Sequence, residues 1–141
     1  MFAKQLSIFL ENKSGRLSEV TELLGSAGIN LSAMSIADNS DFGILRCIVS
    51  EPDRAIRVLR DEGFAVKATD VIGFTCSNTT GALATIMRQL SNAGVFIEYL
   101  YSFNNGDHAN VVIRPTDLNA CERILEQNGV AFISPDDFNR L

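Results

Sequence analysis

The chain has 141 residues, of which 46% are hydrophobic, and its formal net charge at pH 7 is −5. This acidic balance and the lack of a basic stripe argue against nucleic-acid binding, since phosphate contacts need clustered Lys and Arg. The apolar runs are far shorter than the ~20 residues of a membrane span, and the N-terminus reads as a strand rather than a signal peptide. Three cysteines without C-x-x-C spacing favour packed, reduced thiols over a disulfide framework or a zinc site. We therefore expect a cytoplasmic protein without metal or cofactor.

In chain order, the first elements are a strand, a polar loop and a helix. The apolar run 6–10 predicts the strand, and the polar residues 11–15 end it. Ser14 is in position to be the N-cap of the helix, because its hydroxyl can accept from an early amide. Gly28 is a suitable helix stop. The buried face of this helix is predicted from helical spacing and comprises Leu17, Val20, Leu23, Leu24 and Ala27.

The next segments predict two strands, a second helix and a further strand. Partial alternation over 29–37 and the apolar run 43–49 predict the strands, and residues 38–41 have turn composition. Pro52 fits the first turn of the second helix, and Gly63 ends it. A fourth strand is predicted to begin at residues 64–67.

The chain then repeats this pattern with a constant offset of 66 residues. The segment from Glu11 to Leu17 recurs as Ser77 to Leu83, so that Gly81 corresponds to Gly15. A repeat of this length is a folding unit rather than one helix or hairpin. We therefore predict two domains, residues 1–70 and 71–141. The elements of the second copy are predicted at 71–76, 81–93, 95–103, 109–115, 117–128 and 130–134.

The order strand, helix, strand, strand, helix, strand predicts an α+β fold of the ferredoxin-like βαββαβ type. Each domain would have a four-stranded antiparallel sheet in the order 4-1-3-2, with both helices on one face. Strands two and four would be edges, and exposed edges favour pairing with another sheet. We predict that strand two of one repeat pairs with strand two of the other, giving an eight-stranded sheet.

The two glycine loops and the segment Ala27-Gly28-Ile29-Asn30-Leu31 carry a family resemblance. They resemble the E-N-R-P-G-V-L and G-V-N-I segments of ACT domains, which are small regulatory modules that bind amino acids. The resemblance covers the whole chain as two ACT copies without a catalytic domain. It implies a ligand site where two ACT modules meet, formed by the loop between strand one and helix one and by the start of strand two.

The resemblance assigns site residues position by position. The loop asparagine and glycine of the family correspond to Asn12 and Gly15, and the strand-two asparagine corresponds to Asn30. In the second copy Asn78 and Gly81 correspond, whereas Phe96 replaces the strand-two asparagine. Leu10 stands where the serine-binding version has a histidine, so serine specificity is not implied. The candidate ligand-binding residues are Asn12, Lys13, Ser14, Gly15, Arg16, Leu17, Asn30, Leu31, Asn78, Thr80, Gly81, Ala82 and Leu83.

The chemistry of these loops suits a free amino acid. Helix N-termini have unpaired amides and the positive end of the helix dipole, which favour a carboxylate. Glycine permits close approach to the main chain, and asparagine offers both a donor and an acceptor. The alternative interpretation is that these residues only turn the chain into a helix.

These observations lead to one main functional hypothesis and several alternatives. The main hypothesis is a non-catalytic, regulatory amino-acid sensor that forms an intramolecular ACT pair or a homodimer and acts on a partner enzyme. The first alternative is a ligand-independent subunit of an enzyme of amino-acid metabolism, such as acetolactate synthase. A small enzyme and an RNA-binding sandwich are further alternatives, the latter because Tyr99, Tyr101 and Phe103 alternate on one strand. His108 is interpreted as a solvated turn residue.

Overall fold

The computed structural model describes residues 2–11, 13–38 and 42–141. Asn12 and most of the predicted turn at 38–41 lie outside the described residues. The strands are β1 (Ala3–Glu11), β2 (Leu31–Asp38), β3 (Phe42–Val49), β4 (Ala65–Ser77), β5 (Ile97–Asn105), β6 (His108–Pro115) and β7 (Ala131–Phe132). The helices are α1 (Arg16–Ser26), α2 (Pro52–Asp61), α3 (Ala82–Asn92), α4 (Leu118–Gln127) and α5 (Pro135–Phe138).

The chain divides into two compact units. The first unit comprises residues 4–69 together with the C-terminal residues 135–141, and the second comprises residues 70–134 together with residues 2 and 3. Strand β4 runs through the boundary, so its first part belongs to the first unit and its second part to the second.

In the first unit the strand order is β2-β3-β1-β4. β3 pairs antiparallel with β1 and with β2, in registers that place Leu6 opposite Cys47 and Ile36 opposite Leu45. Counted within the repeat, this is the order 4-1-3-2 and confirms the predicted ferredoxin-like topology.

The second unit has the same order, β7-β4-β6-β5. β4 pairs antiparallel with β6, placing Phe74 opposite Val111, and also with the short β7. β6 pairs antiparallel with β5. The α+β fold with antiparallel sheets is therefore confirmed in both repeats.

Each unit has its own hydrophobic core between its sheet and its helices. Strand alternation turns Leu6 and Ile8 of β1 toward Val20 and Leu24 of α1. The corresponding core of the second unit contains Ile72 and Phe74 of β4 with Ile86 and Leu90 of α3.

Each core also contains one fully buried cysteine, as the prediction of packed thiols requires. Cys47 lies in the first core and Cys121 in the second. Burial raises the pKa of Cys47 to about 12, and burial together with the nearby charge of Asp117 raises the pKa of Cys121 to about 11. Both thiols therefore stay protonated at neutral pH.

The predicted eight strands joined through strand two need correction. The described residues form seven strands, because the fourth strand of repeat one and the first strand of repeat two are a single strand, β4. No glycine or proline interrupts the extended backbone between Lys67 and Val71. β2 pairs with β3 and β5 pairs with β6, and the strand order of the described residues gives neither a second partner. The predicted pairing of strand two with strand two is therefore not found among the residues that the structure describes.

Two smaller expectations also differ from the structure. Helix α5, a single turn with a fully buried Phe138, has no counterpart in the predicted elements. Ser14 is not the N-cap of α1: Gly15 occupies that position, and it has no side chain to accept a hydrogen bond.

Candidate functional site

The strand–helix loops of the two repeats end in the same backbone conformation. Gly15 has φ 89° and ψ −5°, and Gly81 has φ 89° and ψ −9°, both in the left-handed region. A Cβ atom at either position would meet nothing within 4 Å, so the torsion angle and not crowding selects glycine. The two repeats therefore share the backbone conformation of this loop as well as its sequence pattern.

This conformation leaves amide groups exposed at the start of α1. The amide of Glu19 donates to the carbonyl of Gly15 over 3.0 Å, and that of Arg16 lies 3.5 Å from the carbonyl of Lys13. The amides of Leu17 and Ser18 have no acceptor among the described residues. Such groups at a helix N-terminus, with the positive end of the dipole, can bind a carboxylate.

Four of the predicted site residues of the first repeat line one groove. Lys13, Ser14, Arg16 and Leu17 lie there together with residues of β1, β2 and β3, and the groove has a volume of about 340 Å³. This volume lies within the range of small-ligand sites. The contributions of Ile36 and Gly43 were not predicted, because they depend on the register that brings the ends of β2 and β3 beside the loop.

Charged side chains surround this groove. The ammonium of Lys13 lies 3.0 Å from the carboxylate of Glu11, and Arg16 lies between Glu11 at 3.6 Å and Glu19 at 3.0 Å. The hydrogen bond from Lys13, followed by the charges of Lys13 and Arg16, lowers the pKa of Glu11. The loop thus presents both charge signs, as a zwitterionic ligand requires.

Asn30 and Leu31 do not join this groove within their own unit. Leu31 pairs with Val49 at one end of β3. The loop lies near the other end of β3, where Gly43 pairs with Leu10. The main chain of Asn30 is bound to Ser50, donating to its hydroxyl at 2.9 Å and accepting from its amide at 3.0 Å. The loop and the start of strand two could meet only if they came from different modules.

The loop of the second repeat differs in detail. Asn78 donates through its side chain to the carbonyl of Gly106 at 3.2 Å and through its amide to that of Asp107 at 2.8 Å, tying the loop to the β5–β6 turn. Thr80 and Gly81 are exposed, and Leu83 packs against the second core. Two predicted site residues of the second repeat, Asn78 and Leu83, therefore stabilise the fold.

A second cavity adjoins the loop of each repeat, and we call it the helix-side cleft because it also includes the turn that follows the second helix of the repeat. In the first unit it opens between the loop and the turn from α2 to β4, residues 62–65, with a volume of about 360 Å³. In the second unit the cleft lies between the equivalent segments, includes Ala82, and measures about 730 Å³. Sequence patterns did not indicate these clefts, because they depend on contacts between segments that are far apart in the sequence.

His108, interpreted from the sequence as a solvated turn residue, begins β6 and is exposed in the structure. The side chain of His108 is 63% exposed and its Nδ1 lies 3.3 Å from Asp107. In the part of the chain that the structure describes, no group of three or more His, Cys, Asp or Glu side chains could hold a metal ion. No helix of the described residues is long and apolar enough to cross a membrane.

The fold and the doubled loop define the class of protein, a tandem of ferredoxin-like α+β modules with paired glycine loops. The chain belongs to the ACT domain pair family, since the sequence model of that family matches residues 1–141. The resemblance seen in the loops is thereby confirmed over the whole chain.

Solved structures with the same fold support this assignment. A protein of Bacteroides thetaiotaomicron is 57% identical, covers 100% of this chain and 98% of its own, and gives a TM-score of 0.95. The ligand-free regulatory subunit of aspartate kinase from Thermus thermophilus is 14% identical over 88% of this chain and 91% of its own (TM-score 0.68). The corresponding subunit from Thermus flavus is 16% identical over 88% and 90% (TM-score 0.63). At such low identity the two kinase subunits show the fold alone. No curated protein sequence is significantly similar to the chain.

Proposed function

We propose that this ACT domain pair is a non-catalytic sensor that binds a free amino acid and regulates a partner enzyme. One observation carries the proposal: the loop of the first repeat combines a left-handed Gly15 with exposed helix amides beside a lined groove. The kinship in fold with regulatory subunits of aspartate kinase supports a regulatory task.

The groove offers a partner for each end of the ligand. The amides of Leu17 and Ser18 donate hydrogen bonds to the α-carboxylate, and the carboxylate of Glu11 is placed to receive the α-ammonium. Asn12, which lies outside the described residues, remains a proposed ligand contact, as does Asn30 supplied by a second ACT module. Binding strengthens the association of the modules, in a cytoplasmic homodimer or with a partner enzyme.

The first test is a thermal-shift and calorimetry screen of the twenty amino acids. A ligand at a hundredfold excess over its dissociation constant should stabilise the protein by ~2.7 kcal/mol. Flat responses to the whole panel contradict the proposal.

The variant Gly15→Ala locates the site, with Gly94→Ala in the second unit as the matched control. Both glycines have positive φ and open space at the Cβ position, so both substitutions should cost about 1 kcal/mol of stability through backbone strain. Only Gly15 adjoins the groove, and only its substitution should weaken ligand binding. Equal affinity in both variants would place the site elsewhere.

The second candidate is a ligand-independent interaction subunit. It is favoured by exposed apolar side chains on and beside the edge strands, namely Met34, Ile36 and Phe96, which are 45–67% exposed. It predicts that a partner enzyme co-purifies with the chain and that Gly15→Ala leaves this association intact.

A further inference from the structure

The helix-side clefts of the two repeats are built from equivalent positions. All nine residues that line the cleft of the first unit have their counterparts, 66 residues later, among those that line the cleft of the second. The clefts are therefore one feature of the module, formed twice, and their side chains can be compared one by one.

The cleft of the first unit combines charged and aromatic side chains. It is lined by one cationic residue, two acidic residues and three phenylalanines, namely Arg16, Glu11, Glu62, Phe9, Phe42 and Phe64. The rings of Phe9 and Phe42 meet edge to face, with centroids 5.8 Å apart. Phe9 stays 38% exposed, although an aromatic ring gains most from burial.

In the second unit every one of these six residues is replaced by a different residue type. The counterparts are Ala82 for Arg16, Ser77 for Glu11, Asn128 for Glu62, Thr75 for Phe9, His108 for Phe42 and Val130 for Phe64. The cation and both glutamates are lost, and three rings give way to smaller or polar groups. The second cleft, which is also lined by Thr79, Thr85, Ile86 and Asp107, has about twice the volume.

We infer that the helix-side cleft of the first repeat selects the ligand, a free amino acid with an aromatic or large apolar side chain, and that the second repeat lacks this specificity. The inference rests on the proposed function, because Arg16 and Glu11 line both the loop groove and the cleft. The zwitterion binds at the loop, and its side chain extends into the cleft, which Phe9, Phe42 and Phe64 help to line. Glu11 and Glu62 balance the ammonium of the ligand, and Arg16 binds the ligand carboxylate together with the amides of Leu17 and Ser18.

The guanidinium of Arg16 has donors available for this task. Its Nη1 donates to both oxygens of Glu19, at 3.0 and 3.3 Å. Its Nη2 lies 3.6 Å from Glu11, beyond hydrogen-bond length. Glu19 therefore holds the side chain while Nη2 stays able to bind a ligand carboxylate.

The experiment compares phenylalanine, leucine, alanine, serine and choline by calorimetry on the full chain. Phenylalanine and leucine should bind at least about tenfold more tightly than alanine and serine, since burial of a large side chain contributes several methylene groups. Choline, which has a quaternary ammonium and no carboxylate, tests whether the cleft binds an organic cation instead of an amino acid. Tight choline binding without amino-acid binding overturns the inference.

Two variants convert the first cleft toward the second. Arg16→Ala should weaken phenylalanine binding about tenfold or more, because it removes a charged hydrogen bond. Phe64→Val should weaken phenylalanine about tenfold and alanine by less than threefold. Arg54→Ala is the matched control, since Arg54 also pairs with a glutamate in the adjacent helical turn but lies outside the cleft.

The outcomes separate the inference from the proposed function. If no amino acid binds, both fail. If serine and phenylalanine bind with equal affinity, the proposed sensor function is retained and the cleft is not its specificity pocket. The same conclusion follows if Arg16→Ala and Arg54→Ala bind phenylalanine with equal affinity. Loss of stability is monitored by urea unfolding, and the alanine-to-phenylalanine affinity ratio stays informative for Phe64→Val even if part of that variant unfolds.

Discussion

At the scale of single residues, Arg16 connects the features of the first loop. It follows the left-handed Gly15, opens α1, and pairs with acidic groups on both sides, Glu11 and Glu19. The equivalent residue of the second repeat is Ala82, so the same backbone turn there carries no charge. The backbone of the loop is shared by both repeats, whereas its electrostatics belong to the first alone.

The ionisation of Glu11 gives a prediction at this scale. Its pKa is lowered from the ordinary 4.5 by the hydrogen bond and charge of Lys13 and by the charge of Arg16. The folded state thus favours the ionised form, and this contribution to stability is present above pH 4.5 and is lost as the pH falls below it. The free energy of unfolding, measured by urea denaturation, should fall less between neutral and acidic pH in Glu11→Gln than in the wild type.

Lys13→Gln provides the companion measurement for Glu11. It should reduce the same pH dependence, and high salt should reduce it in the wild type, since the pair is exposed and screened. An unchanged pH profile in both variants would contradict the assigned cause.

At the scale of elements, the two repeats begin their second helices differently. Asp117, the N-cap of α4, accepts a hydrogen bond from the amide of Ala120 at 3.0 Å. The corresponding Glu51 of α2 makes no side-chain capping bond. An aspartate has the length to reach the third amide, whereas the longer glutamate pairs with Arg54 instead.

This difference predicts unequal effects of two matched substitutions. Asp117→Ala should cost about 1 kcal/mol of unfolding free energy, because an amide of the first turn loses its acceptor. Glu51→Ala should cost little, since exposed ion pairs contribute little. Chemical denaturation of both variants measures the difference, and equal losses would mean that the cap does not stabilise α4.

At the scale of the whole molecule, the ends of the chain do not follow the repeat boundary. Residues 135–141 belong to the compact unit of residues 4–69, and residues 2 and 3 belong to that of residues 70–134. Phe2 packs against the second core, and Phe138 is fully buried. The compact unit of the first repeat thus includes a segment that follows the second repeat in sequence. The unit of the second repeat includes residues that precede the first repeat.

Phe138→Ala tests this division. Removal of a fully buried aromatic side chain should cost about 3–5 kcal/mol. Hydrogen exchange should rise first in residues 4–69, although Phe138 follows the second repeat in sequence. The control Phe96→Ala removes a side chain that is 67% exposed and should change stability by less than about 0.5 kcal/mol. Faster exchange confined to residues 70–134 would contradict the division.

The sequence by itself determined the module and its duplication. Element type and order followed from local periodicity and from turn residues such as Gly28 and Gly63, which act over a few positions and therefore leave a readable pattern. The family of the chain followed from the loop at Gly15 and Gly81, because a left-handed turn restricts the choice of residue.

Only the tertiary structure decided which predicted residues lie together. The sheet register placed Asn30 at the far end from its own loop and brought Ile36 beside it, and contacts between segments far apart in the sequence created the cleft lined by Phe9, Phe42 and Phe64. β4 also joined two strands that appeared separate, and α5 added a buried Phe138 beyond the repeat. These features depend on contacts between residues distant in sequence, whose register and packing no local pattern encodes.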